Sequence, residues 1–265
     1  MKAFIVDAFT NEAFKGNPAG VCILESTISD ELMLKIAQEL GLSETAFMTP
    51  VVNSESISIR YFSPKMEIPL CGHATLASAK VIFDSTNLKH IEFINIQDIK
   101  IPVKPINDQI SIRFPVYDTV PCNAPEALLS ALGLNKVNNV AYNHETKILL
   151  IEIDSTERLA SISPDYEALY KSHDSINGVL VTAKSDDKYD FHSRYFWPWS
   201  GTNEDPVTGG THTFLAKYWS NKLGKTKMKS FQSSSRSGFM DVEIKNDGLL
   251  ITGSAVIVFQ GEFLI

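Results

Sequence analysis

A block of five residues, Arg60-Tyr61-Phe62-Ser63-Pro64, returns 134 positions later as Arg194-Tyr195-Phe196-Trp197-Pro198. A second block follows each copy in the same order. Glu67-Ile68-Pro69-Leu70-Cys71-Gly72 returns as Glu204-Asp205-Pro206-Val207-Thr208-Gly209, now offset by 137, so three residues have been inserted between the blocks. Each copy then runs into an apolar helical pattern. One such match can arise by chance. Two collinear matches half a chain apart indicate a duplicated domain, and a repeat of this kind constrains the fold more than any local propensity. The 265 residues suit two units of about 130 residues. We place the halves at 1–117 and 118–254.

The coarse pattern is richer in strand than in helix. Strand-like runs rich in β-branched and aromatic residues fall at 3–9, 19–24, 56–62, 109–114, 148–153, 178–182, 189–196 and 249–259. Five helices are expected. In the first, Ser29 is the cap, Leu32, Ile36 and Leu40 form the apolar stripe, and Gly41 is the stop. The second covers 73–83. The third follows Pro125 and ends at Gly133, and the fourth begins near Ser163-Pro164. The fifth follows Gly210 and stops at Gly224. This mixture, with hairpins more evident than regular βαβ alternation, predicts an α+β fold of two similar sheet-and-helix halves.

Composition excludes several functions. A formal charge of −7, spread along the chain, lacks the basic footprint of a nucleic-acid binder. The one basic cluster, Lys222, Lys225, Lys227 and Lys229, fits a solvated turn and strand face. Cys22, Cys71 and Cys122 are odd in number and far apart, which fits a reducing compartment. The apolar stretch before Asp7 is too short for a signal peptide, and no run approaches the roughly 18 apolar residues of a membrane span. A cytoplasmic, membrane-free protein is expected. No phosphate-binding loop, dinucleotide fingerprint, His-Glu-x-x-His or Cys-x-x-Cys occurs. His73, His90, His144, His173, His192 and His212 show no close ligand spacing. Neither a metal nor a cofactor is expected.

The chemistry-bearing candidates cluster on the repeat. Cys71-Gly72-His73 and Thr208-Gly209-Gly210-Thr211 each join an extended segment to a helix start. Unpaired N–H groups and the dipole attract anions there, and glycine allows close approach. In a pseudo-symmetric chain the two elements would bracket one small ligand, a carboxylate by preference. The plainer reading, two tight strand-to-helix turns, is weakened by the repetition. Glu44 lies among apolar residues just past Gly41. Partly buried, its pKa would rise towards neutrality, as suits a general acid/base; a solvated loop carboxylate is the alternative. His73 is a candidate proton shuttle, substrate donor or helix cap, and Asp205 a site carboxylate or a turn former before Pro206. Cys71 is a candidate thiol base.

Taken together, these motifs resemble the PhzF-type phenazine-biosynthesis protein family. The resemblance rests on Asp7-Ala8-Phe9, Gly16-Asn17-Pro18-Ala19, Leu42-Ser43-Glu44-Thr45-Ala46-Phe47 and Phe62-Ser63-Pro64. It continues through Glu67 to Thr75, Glu204 to Gly209 and Ile251-Thr252-Gly253-Ser254-Ala255. It implies the diaminopimelate epimerase-like fold: two pseudo-symmetric halves, each a mixed curved sheet around a central helix, the last strand (about 255–265) returning to the first half. It also implies a homodimer and a cofactor-free isomerisation of a small cyclic amino acid by a glutamate. That glutamate falls on Glu44, the site histidine on His73 and the site aspartate on Asp205. The site serine falls on Gly210, beside Thr211, a departure that bears on the substrate.

The related epimerases use two thiols, whereas this chain pairs Cys71 with Thr208, a hydroxyl too weak to replace a thiolate. One carboxylate moving a proton on a small carboxylate substrate is therefore expected. Glu44, His73 and Asp205 would be the catalytic groups, with Cys71, Gly72, Gly209, Gly210 and Thr211 binding substrate. A lyase or dehydratase using the same residues, or a non-catalytic small-molecule-binding or interaction protein, are the alternatives.

Overall fold

The structure, a computed structural model, describes residues 1–51, 56–246 and 248–265. It divides into two compact units, residues 1–113 with 250–265, and residues 114–249.

The first unit begins with β1 (Lys2–Ala8), β2 (Asn17–Ile23), α1 (Asp30–Leu40), β3 (Glu44–Pro50), β4 (Ile57–Phe62) and β5 (Glu67–Ile68). It continues with α2 (Gly72–Ser85), β6 (Ile91–Ile94), β7 (Lys100–Ile106) and β8 (Gln109–Pro115). β1 and β2 form an antiparallel hairpin, while β2 and β3, joined through α1, run parallel. The Ser29 hydroxyl caps α1 by accepting from the Leu32 N–H, and Gly41 ends it at φ +63°, a left-handed conformation that glycine adopts without strain. The buried stripe is Met33, Ile36 and Ala37; Leu32 and Leu40 only flank it. α2 is covered on nearly all sides: Ala74, Thr75, Leu76, Ala77, Ser78 and Ala79 are all buried. A helix so enclosed must be the centre of its unit, and its small side chains let β1, β2 and β3 approach closely.

The second unit contains β9 (Val120–Pro121), α3 (Glu126–Ala131), β10 (Asn139–Asn143), β11 (Ile148–Ile153), α4 (Thr156–Ser161) and α5 (Tyr166–Lys171). Then come β12 (Gly178–Lys184), β13 (Phe191–Trp197), β14 (Thr202–Asp205), α6 (His212–Leu223), β15 (Lys227–Gln232) and β16 (Gly238–Lys245); β17 (Gly248–Gly253) begins in this unit and belongs to the first from Leu250 onward. α6 is the second unit's enclosed helix, with Phe214, Leu215, Ala216 and Trp219 buried and Gly224 as the left-handed stop. α4 was not foreseen: only α5 matches the helix expected after Ser163-Pro164. The run expected at 249–259 is two strands, because the chain breaks at Ser254 between β17 and β18 (Ala255–Glu262). β18 pairs antiparallel with β1, Lys2 opposite Glu262. Three of the four clustered lysines are ion-paired: Lys222 with Glu152, Lys225 with Asp190 and Lys227 with Glu243. Among the described residues, no helix is long and apolar enough to cross a membrane.

The duplication is structural as well as sequential. Along the first unit, pairings run antiparallel β1–β2, parallel β2–β3, antiparallel β3–β4, parallel β4–β6, antiparallel β6–β7. The second unit repeats this order as β10–β11, β11–β12, β12–β13, β13–β15 and β15–β16. The repeated sequence blocks make the same contacts twice. Arg60 donates from Nε and Nη2 to the two oxygens of Glu67, both at 2.7 Å, with its guanidinium 5.2 Å from the Phe62 ring centroid. Arg194 does the same with Glu204, both at 2.7 Å, and lies 4.9 Å from the Phe196 ring centroid.

The two arginines differ in their third contact. Arg60 Nη1 reaches the exposed Asp30 at 2.7 Å, whereas Arg194 Nη1 donates to the Ile162 carbonyl at 2.6 Å and to Leu159 and Ala160, at the end of α4. Removing one partner of a buried pair costs about 3–5 kcal/mol. Arg194→Ala should therefore lose about that much in urea denaturation and Arg60→Ala clearly less; equal losses would contradict this ranking.

Candidate active site

Glu44 does not lie in a loop beyond α1. It is the first residue of β3, paired with Ala19 on β2, and only 8% exposed. Burial of a carboxylate demands a partner, and His73 supplies it: Nε2 lies 3.1 Å from Glu44 Oε2. His73 sits in the first turn of α2, directly after Cys71 and Gly72. Cys71 Sγ is 3.4 Å from His73 Nδ1 and 3.8 Å from Nε2. The Asn17 side-chain amide lies 3.3 Å from Nδ1, and the Ser43 hydroxyl 3.5 Å from Nε2. Three elements thus converge: the start of β2, the start of β3 and the start of α2.

Asn17 is aimed by the turn before it. Asp7 accepts a hydrogen bond from the Phe14 N–H at 2.6 Å. Gly16 adopts φ +65°, and a Cβ there would stand 2.1 Å from the Ala8 carbonyl oxygen. Only glycine fits, so the Gly16-Asn17 pair is a geometric requirement of the hairpin. Sequence alone gives Asn17 and Ser43 no role; their contacts with the His73 ring reveal one. The available signal was a polar residue opening a buried strand.

The expected rise in the Glu44 pKa is reversed. Burial pushes the carboxyl up, but the hydrogen bond and charge of His73, with help from Ser43, outweigh it and hold Glu44 below the usual carboxylate value. Burial opposes charge on the His73 ring, but the Cys71 sulfur and Glu44 carboxylate beside it hold its pKa well above that of an ordinary histidine. Burial pushes the Cys71 thiol up. These directions favour a carboxylate on Glu44 and a charged ring on His73: a base and an acid in contact.

The remaining candidates belong to the second unit. Asp205 ends β14 and is buried. Its carboxylate accepts from the Thr208 hydroxyl, and its carbonyl accepts from Gln232 Nε2 at 2.6 Å. Gln232 Oε1 in turn accepts from the Thr208 N–H at 2.9 Å. Thr211 Oγ1 donates to the Thr208 carbonyl at 3.0 Å, closing the turn that leads through Gly209 and Gly210 into α6. A Cβ on Gly210 would meet nothing within 4 Å, so no crowding enforces that glycine. His212 is a structural residue. It is fully buried, pinned between the Thr208 carbonyl (2.9 Å) and Ser230 Oγ (2.7 Å), and burial lowers its pKa to about 4.

The repeat shows where the copies diverge. Glu44 opens β3 and Gly178 opens the corresponding strand β12. At Gly178 a Cβ would lie 2.5 Å from the Tyr195 ring, so the second unit leaves no room for a glutamate there. Ile68 stands where the second unit has Asp205, each opposite its own repeat tyrosine, Tyr61 or Tyr195.

Known proteins share this chain along its whole length. The profile of a family described as phenazine biosynthesis-like protein matches residues 6–261. A phenazine biosynthesis-like domain-containing protein 2 of Mus musculus is 41% identical over 281 residues, 97% of each chain. An uncharacterized isomerase of Halalkalibacterium halodurans is 38% identical, over 99% of this chain and 98% of its own. The crystal structure of a phenazine biosynthesis protein of the PhzF family from Enterococcus faecalis is 36% identical, with a TM-score of 0.91 over 100% of this chain and 99% of its own.

The contact between Glu44 and His73 has a spectroscopic consequence. Nitrogen-15 NMR should find the His73 ring protonated at pH 7, and Glu44→Gln should move its titration midpoint down. A neutral ring at pH 7 in the unaltered protein would contradict the pairing.

Proposed function

The chain belongs to the phenazine biosynthesis-like protein family, and from that premise we propose a cofactor-independent isomerase that moves a proton within a small carboxylate-bearing metabolite, Glu44 being the general acid/base. Family membership and the isomerase named among the relatives support an isomerase-type role. The observation that carries the finer reading is the buried Glu44 carboxylate, 3.1 Å from His73 Nε2. An ionised carboxylate accepts a proton from an acidified carbon and returns it elsewhere on the same molecule. His73, charged and next to it, favours the ionised carboxyl before abstraction and so favours return of the proton from the neutral carboxyl afterwards, steering it.

A single carboxylate is favoured over a pair of thiols and over a pair of carboxylates, for one reason each. Thr208 stands where a second thiol would be needed, and its hydroxyl is committed to the Asp205 carboxylate. Gly178, at the position matching Glu44, is closed to any side chain by Tyr195. The resemblance assigns Asp205, held by Thr208 and Gln232, to substrate polar groups, and the backbone N–H groups near Gly72 and His73 are assigned to a substrate carboxylate. Positioned proton transfer is worth about 10²–10⁴-fold, and orientation of the bound substrate supplies much of the rest.

The test is incubation of the protein with small cyclic and acyclic carboxylates in D₂O. Solvent deuterium should enter one of them without loss of water. Glu44→Gln should cut the exchange rate by about 10²-fold or more while leaving binding of that compound intact; undiminished exchange in that variant would end the proposal. The resemblance also supports a homodimer, which should elute at about twice the 29.4 kDa chain mass; elution at the single-chain mass would refute it.

A further inference from the structure

The face of β6, β7 and β8 turned away from the apolar core carries a cavity of about 590 Å³ that shares no residue with the Glu44 cluster. Strand register explains its lining. Ile91, Val103 and Ile112 stand opposite one another and are buried. Successive side chains alternate between faces. Glu92, Pro102, Lys104, Ser111 and Arg113 therefore share the other face, Glu92 opposite Pro102 and Lys104 opposite Ser111. Leu250 of β17 adds to the wall. Charge on this face is unbalanced. Glu92 is already held by Lys100 at 3.0 Å and by the Ser56 hydroxyl at 3.1 Å. Lys104 and Arg113 are exposed, and neither has an ion-pair partner among the described residues. Ser111, beside them, is only 2% exposed, and its hydroxyl has no hydrogen-bond partner among the described residues. A buried hydroxyl normally finds a partner. Two cations and a donor thus line one cavity with no group of the protein to satisfy them.

We infer that this cavity is a second ligand site, for a small organic phosphate monoester. Two unpaired cations match the charge of about −1.5 to −2 that a phosphate monoester carries near neutrality, whereas a carboxylate carries only one. Arginine can grip phosphate through two parallel N–H bonds, and lysine adds a point charge. The Ser111 O–H supplies a further donor. Size argues against a bare ion, since about 590 Å³ lies within the roughly 300–1,000 Å³ of small-molecule sites. Pro102 and Leu250 offer an apolar wall to the organic body. Binding here stands or falls apart from proton transfer at Glu44.

Phenyl phosphate is the probe, with benzoate, inorganic phosphate and benzyl alcohol for comparison. In proton–nitrogen NMR of the full chain it should shift, saturably, the backbone amides of residues 90–92, 103–104 and 111–113. The double variant Lys104→Ala with Arg113→Ala changes only exposed side chains and should bind it roughly 10-fold or more weakly. Ser111→Ala should weaken it by roughly 3-fold, yet leave the melting temperature of the ligand-free protein unchanged or higher, because no hydrogen bond is lost. Glu44→Gln should bind it as the unaltered protein does. Benzoate and inorganic phosphate should each bind more weakly, and benzyl alcohol should not bind. Undiminished binding in the double variant, or shifts confined to the residues around Glu44 and His73, would overturn the site. Benzoate as tight as phenyl phosphate would overturn the phosphate, and inorganic phosphate as tight would overturn the organic body. Absence of any shift would overturn the ligand site altogether; if Arg113→Ala then also turned a dimer into a monomer, the face would belong to a second copy of this chain.

Discussion

The architecture depends on a guanidinium held twice over. In each unit an arginine grips a glutamate through two parallel hydrogen bonds and lies against a phenylalanine of its own strand. Bidentate geometry fixes direction as well as distance. It locks the short strand carrying the glutamate against the long one carrying the arginine. The chain leaving that hairpin is thereby delivered to the first turn of the enclosed helix. Every candidate side chain apart from Glu44 lies on that delivered segment or the residues beside it.

With the frame kept, the two copies diverged at the positions the frame holds. One unit joins a glutamate, a histidine and a thiol. The other ties an aspartate to a threonine and a glutamine, and fills the glutamate's position with an aromatic ring. Duplication supplies two equivalent stages, and divergence leaves the glutamate and its histidine on only one of them. The difference is enforced by packing, since Tyr195 leaves no space at Gly178 for a side chain.

Much of this was legible in the sequence, because the repeat carries its own geometry. Arg60 and Arg194, and Glu67 and Glu204, follow from aligning the chain with itself, and α2 and α6 begin at Gly72 and His212, each within a residue of the starts expected at 73 and after Gly210. Gly41 and Gly224 announced the ends of their helices through a conformation that glycine adopts most easily. Glu44 stood out only with the family motif, and its environment was misjudged. Burial alone argues for a raised pKa, but the decisive neighbour is 29 residues away in sequence and visible only after folding. The break at Ser254 and the extra helix α4 were hidden for a related reason. A continuous apolar run does not reveal where a strand turns, and a six-residue helix is too short to show a period.

The pairing of β18 with β1 gives the molecule a temporal order. Residues 114–249 are contiguous and can complete their sheet as soon as they leave the ribosome. The first unit cannot. One side of β1 has to wait for residues 255–262, made after the whole of residues 114–249, so β1 stays an unpaired edge throughout the synthesis of the second unit. The unit that holds Glu44, Cys71 and His73 therefore closes after the other, and a nascent chain completes the sheet around that cluster only as β18 docks.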